Sequence, residues 1–150
     1  MLEIQRVAKT PQGVPTDEQL HTWAEAALET QDQVEMVIRL VDEAESQQLN
    51  LDYRGKEKPT NVLSFPFEAP EVVETSLIGD LVVCVPVVAR EAVEQHKALE
   101  AHWAHMVVHG VLHLQGYDHQ SEQQAEIMEE KEREILHALQ FSDPYIDEEQ

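Results

Sequence analysis

The stretch "HMVVHGVLHLQGYDH", residues 105–119, restricts the fold more than any other, because it sets four histidines and a glycine at helical intervals. Residues four apart share one face of a helix, so His105 with His109, or His109 with His113, can meet at one point. All three cannot. His105 and His113 lie about 12 Å apart along a helix axis at ~1.5 Å per residue, and an ion between them would be held almost linearly rather than tetrahedrally.

Gly116 decides between the pairs. A glycine just past a helix end supplies the left-handed cap that turns the chain back, and "GYDH" then returns His119 toward the turn that carries His113. The converging set is His109, His113 and His119. Three imidazoles suit a borderline-soft divalent ion such as Zn2+, one per chain, and leave a fourth position open as catalytic sites do. His102 and His105 are read as packed or hydrogen-bonded, and His21, His96 and His137, on expected helices away from the cluster, receive no role. Asp118 is placed either to accept the second ring N–H of a histidine or to cap the helix that starts at Ser121.

Around this stretch the apolar periodicity predicts strands at 2–7 ("LEIQRV"), 33–41 ("QVEMVIRLV"), 62–65 and 76–85. Helices are expected at 16–30, with Thr16 as N-cap, at 42–50, from Pro86 to 98, at 99–114, and at 121–140 with Ser121 as N-cap and Gln124 at the capping-box position. Residues 53–70, with Gly55, Pro59, Pro66 and Pro70, read as a loop holding only the short strand. The expected fold class is α+β, a small mixed β-sheet of about four strands flanked by helices, in one domain over 1–150 with an acidic tail from about 143.

Thirty acidic against ten basic residues give a net charge of −20, which argues against non-specific attraction to duplex DNA or an anionic membrane. The acid concentrates in 121–134 and in the tail, where it reads as a solvated helix face and a frayed end, or as a docking surface for a basic partner such as a ribosomal protein. The longest apolar run, "LVVCVPVVA" at 81–89, is too short to cross a bilayer and no signal-length run opens the chain, so the expectation is a cytoplasmic protein. Cys84, the single cysteine, is read as a small core residue.

In the zinc-peptidase pattern H-E-x-x-H a glutamate follows the first histidine as general base; here that position is Gly110. Phosphodiester cleavage needs instead a cation against the non-bridging oxygens. The chain has one basic concentration, "YRGKEK" at 53–58, in which Arg54, Lys56 and Lys58 are candidate phosphate contacts and Arg54 can bind in two-pronged fashion. Composition alone favours an ordinary polar loop balancing its own Glu57.

"HGVLHLQGYDH" (109–119), "YRGKEKPTNVLSFPFE" (53–68) and "IGDLVVC" (78–84) together resemble the shared blocks of the YbeY family of bacterial rRNA-maturation endoribonucleases. The resemblance implies a fold related to zinc-dependent peptidases, zinc on His109, His113 and His119, and activity depending chiefly on Arg54 and His109. It implies single-stranded RNA as substrate, in small-subunit rRNA 3' end processing and ribosome quality control, with the ribosome as partner. Ser64 and Asp80 fall in shared blocks without an assigned role. A metal-dependent peptidase or amidase, and a non-catalytic assembly factor stiffened by zinc, are the alternatives.

Overall fold

The computed structural model describes residues 2–9, 13–29, 34–67 and 77–145. The described elements run β1 (Leu2–Arg6), α1 (Asp17–Ala27), β2 (Glu35–Val41), α2 (Glu43–Arg54), β3 (Val62–Pro66), β4 (Leu77–Cys84), α3 (Val85–Glu94), α4 (Leu99–Leu114) and α5 (Glu122–Ala138). The sheet order is β1-β2-β4-β3, with β1, β2 and β4 parallel and β3 antiparallel to β4. This is the mixed α+β arrangement that the periodicity predicts.

Strand alternation sorts the side chains between two faces. Met36, Ile38 and Leu40 of β2 join Leu81 and Val83 of β4 in a core completed by Leu20 and Trp23 of α1 and Trp103, Val107 and Val111 of α4. On the other face Val41, Leu63, Val82 and Cys84 pack with Val87. Helix α4 is buried along most of its length, as a helix apolar on nearly every side should be. It can lie so close to the sheet because residue 110 is glycine: a Cβ there would stand 2.7 Å from Leu81 Cδ2.

Local chemistry explains two of the helix starts, those of α1 and α5. Thr16 accepts from the Gln19 N–H while the Gln19 side chain accepts from the Thr16 N–H, a complete capping box. Ser121 likewise accepts from the Gln124 N–H at 3.1 Å.

Three helix ends differ from the expectation by three residues or more. Helix α1 stops at Ala27, and α3 stops at Glu94, so His96 lies beyond the helix with φ +55°. Most consequential for function, α2 continues to Arg54, ended by Gly55 in the left-handed region (φ 70°) rather than at residue 50. Arg54 therefore projects from a helix terminus and not from a loop. Asn50 and Ser46 bind the carbonyls of Lys58 and Thr60 at 2.8 and 2.9 Å, which fastens the following segment to α2. Residue 30 of the first expected helix, residue 33 of the second strand, residues 68–70 of the loop, residue 76, and residues 146–150 of the tail lie outside the described residues.

Candidate metal centre

At the end of α4, Gly116 takes φ +103°. Its N–H donates to the His113 carbonyl (3.0 Å) and the Tyr117 N–H donates to the Leu112 carbonyl (3.1 Å), the paired bonds of a Schellman cap. The turn carries His119 back onto the helix end. His109, His113 and His119 each offer a ring nitrogen within 4.8 Å of the others, and the Nε2 atoms of His109 and His113 face each other at 3.1 Å. Asp118 does neither of the things expected of it: its Oδ1 accepts the backbone N–H of His119 at 2.8 Å, while Ser121 caps its own helix.

The three rings stand in the wall of an open cleft of about 1300 Å³ that is also lined by Tyr53, Arg54, Ser64 and Asp80. Arg54 enters from the C-terminal end of α2, and among the described residues its guanidinium makes no ion pair or hydrogen bond. The cleft's other guanidinium, on Arg39, is bound to Glu45 and Gln5. Lys56 and Lys58 are exposed and do not line the cleft.

Behind His109 lies a residue that sequence reasoning took for part of a solvated face. Glu132 of α5 is 0% exposed. Its carboxylate accepts from His109 Nδ1 at 2.7 Å, His105 Nε2 at 2.6 Å and the Tyr145 hydroxyl at 2.5 Å. Burial alone would push this carboxyl up, but the hydrogen bonds and charges of His105 and His109 overcome it and hold Glu132 at about 2. With Nδ1–H committed to Glu132, His109 presents a bare Nε2 to the cleft. A signal for Glu132 did exist in the sequence: it falls four residues after Met128 and four before Leu136, inside the buried stripe of an amphipathic helix.

These donors fit a divalent ion. A bare Nε2 on His109, 3.1 Å from Nε2 of His113, lies slightly inside the roughly 3.3 Å edge of a tetrahedron with metal–nitrogen bonds of about 2.0–2.1 Å, a gap that a small ring rotation closes. Burial and the neighbouring His109 and His119 lower the His113 pKa, which favours the neutral ring that ligation needs. A second group, His105, His109 and Glu132, also has metal-binding atoms close together. Its contacts of 2.6 and 2.7 Å are hydrogen-bond lengths with no room for an ion between the atoms, so it is read as a buried network. His102 is similarly engaged with Glu91 at 3.0 Å.

Fold and site together define a class: an α+β protein with a potential metal centre on its central helix, facing a cleft whose Arg54 guanidinium is unpaired among the described residues. The sequence profile of the family described as Endoribonuclease YbeY matches residues 6–140. The chain belongs to the YbeY endoribonuclease family, and RNA is the substrate class of that family. The solution structure of TM1509 from Thermotoga maritima is similar at 28% sequence identity and a TM-score of 0.59, over 97% of this chain and 99% of that one. No helix among the described residues is long and apolar enough to cross a membrane.

Proposed function

We propose that this endoribonuclease is zinc-dependent and specific for single strands, and that it acts in the cytoplasm on ribosomal RNA, in small-subunit 3' end maturation and ribosome quality control. The observation that carries the reading is the meeting of Nε2 of His109 and His113 at 3.1 Å in the same cleft as Arg54, which is unpaired among the described residues. His109, His113 and His119 would hold one zinc ion per chain, which supplies Lewis-acid polarisation of a phosphate oxygen.

The protein's own residues do the rest. Glu132 keeps His109 in the tautomer that faces the cleft, and Arg54 grips the scissile phosphate and offsets charge that grows on its non-bridging oxygens. Lys56 and Lys58, exposed outside the cleft, draw the RNA toward its rim. Gly110 disfavours the peptidase alternative on steric grounds, since its side-chain position is filled by Leu81 and Val62 and cannot carry a general base. With a charge of −20 the protein is a poor general RNA binder, which suits delivery by the ribosome and its basic proteins.

The test is cleavage of single-stranded RNA, duplex RNA and casein, with and without chelator, by the wild type and Arg54→Ala. Only single-stranded RNA should be cut, and only without chelator. Arg54→Ala should keep its zinc and its melting temperature yet lose about a hundredfold or more in rate, the usual effect of removing a group that stabilises transition-state charge. Wild-type rates in Arg54→Ala would leave the mechanism without its phosphate anchor; casein cleavage would favour the peptidase.

A further inference from the structure

Tyr53 immediately precedes Arg54 on α2 and lines the same cleft, yet it is 68% exposed. An aromatic ring so far out of the core gains little from folding. It is nevertheless held: Phe65 of edge strand β3 meets it edge-on, with ring centroids 4.7 Å apart and planes at 67°. That contact leaves a face of the ring open. Among the described residues its hydroxyl has no hydrogen-bond partner, so nothing polar accounts for the position.

The charge of the chain poses a second problem that this ring solves. RNA affinity usually comes largely from phosphate contacts. This protein carries −20 overall, and Arg54 is the cleft's single guanidinium without a carboxylate partner among the described residues. One phosphate contact is too few to hold a strand against that repulsion. Stacking of a base on an aromatic face is indifferent to the protein's charge and is available to any base.

We propose that the Tyr53 ring, braced by Phe65, is a stacking platform for a nucleobase next to the phosphate that Arg54 grips. The ligand is an unpaired base of single-stranded RNA. A base in a duplex is already stacked on both faces and has none to offer without unpairing, so the platform itself discriminates against double strands. This inference rests on the nuclease reading above.

Binding of a short single-stranded RNA, followed by fluorescence anisotropy across a salt series, separates the two contacts. In the wild type, log K should fall with log salt with a slope of about −0.7 for each phosphate engaged. Arg54→Ala should flatten the slope. Tyr53→Ala should weaken binding roughly ten- to a hundredfold without changing it, since stacking releases no counterions. Tyr53→Leu should stay weak, and Tyr53→Phe or Tyr53→Trp should restore binding.

Oligonucleotides with one abasic position, scanned across the cleavage site, give the decisive result. At the stacked position, loss of the base should weaken wild-type binding and make Tyr53→Ala indistinguishable from it. The platform is refuted if Tyr53→Ala and Tyr53→Leu bind as the wild type does, or if no abasic position masks the substitution, even while the wild type still cuts RNA. A wild type that neither binds nor cuts single-stranded RNA refutes the nuclease reading as well.

Discussion

His109 belongs to two neighbourhoods at once, and they are built on opposite principles. Its Nε2 side faces His113 and the exposed His119 across an open cleft, where three nitrogens converge without mutual hydrogen bonds that satisfy them all. Its Nδ1 side meets a carboxylate sealed from solvent, with His105 and Tyr145 as further donors. The cleft half leaves its converging nitrogens facing solvent, in the geometry a divalent ion would need. In the buried half the carboxylate has its donors in place, and the one it takes from Nδ1 fixes how His109 is presented to the cleft. A ligand-competent histidine here depends on a carboxylate that never touches the cleft.

The residue shared by both halves should give the largest effect when removed. His109→Ala should abolish zinc binding, and it should also destabilise the metal-free protein by about 1–3 kcal/mol, because Glu132 stays buried with one donor fewer. His113→Ala should abolish zinc binding alone, leaving the metal-free melting temperature near that of the wild type. Elemental analysis and metal-free melting curves for the two variants check this. Equal melting temperatures would mean that the two halves are not joined through His109.

Glu132→Gln tests the dependence of one half on the other. The amide keeps the shape but cannot accept from both rings, so zinc affinity should fall ten- to a hundredfold, the usual effect of losing a carboxylate behind a metal-binding histidine. The same substitution has an acid signature. Because Glu132 is held at about 2 in the fold against an ordinary value of 4.5, its contribution to stability is fully present above pH 4.5 and is lost as the pH falls from there toward 2. In the metal-free protein, the variant should therefore lose less stability than the wild type over that interval. Competition with a chromophoric chelator reads the first effect and melting curves against pH the second; parallel acid limbs would place Glu132 outside the network.

The two halves were unequally legible in the sequence. The cleft half is encoded locally: two histidines one turn apart, a glycine cap three residues on, and a returning histidine, all within 109–119. Helix and strand positions were legible for the same reason, since periodicity and caps are short-range. The buried half joins residues 23 and 27 positions apart across two helices. An acid-rich helix such as α5 conceals its one buried glutamate unless its place between Met128 and Leu136 is weighed against the charge around it. Arg54 shows the converse error. Its candidacy came from the family resemblance laid over the one basic cluster, but its anchorage was not legible, because Gly55 ends the helix later than the apolar pattern does.

The smallest effect is expected at the outer edge of the buried half. The acidic tail does not fray at its first residues: Asp143 pairs with Arg133 at 3.0 Å, and Tyr145, with Arg133 over its ring, donates its hydroxyl to Glu132. Burial and then Glu132 raise the phenol's pKa, so it remains a donor throughout the working range of pH. Tyr145→Phe removes one of three donors to the carboxylate but leaves both histidine bonds. Stability should fall by about 1 kcal/mol, at the low end for a bond to a charged acceptor because the residue is 41% exposed. Zinc affinity should move by less than about threefold, since Tyr145 reaches His109 only through Glu132. Calorimetry beside the chelator competition used for Glu132→Gln gives both numbers. If Tyr145→Phe weakened zinc as much as Glu132→Gln does, the carboxylate's orientation would depend on the tail and not on its two histidines, and the buried half would extend to the chain's acidic end.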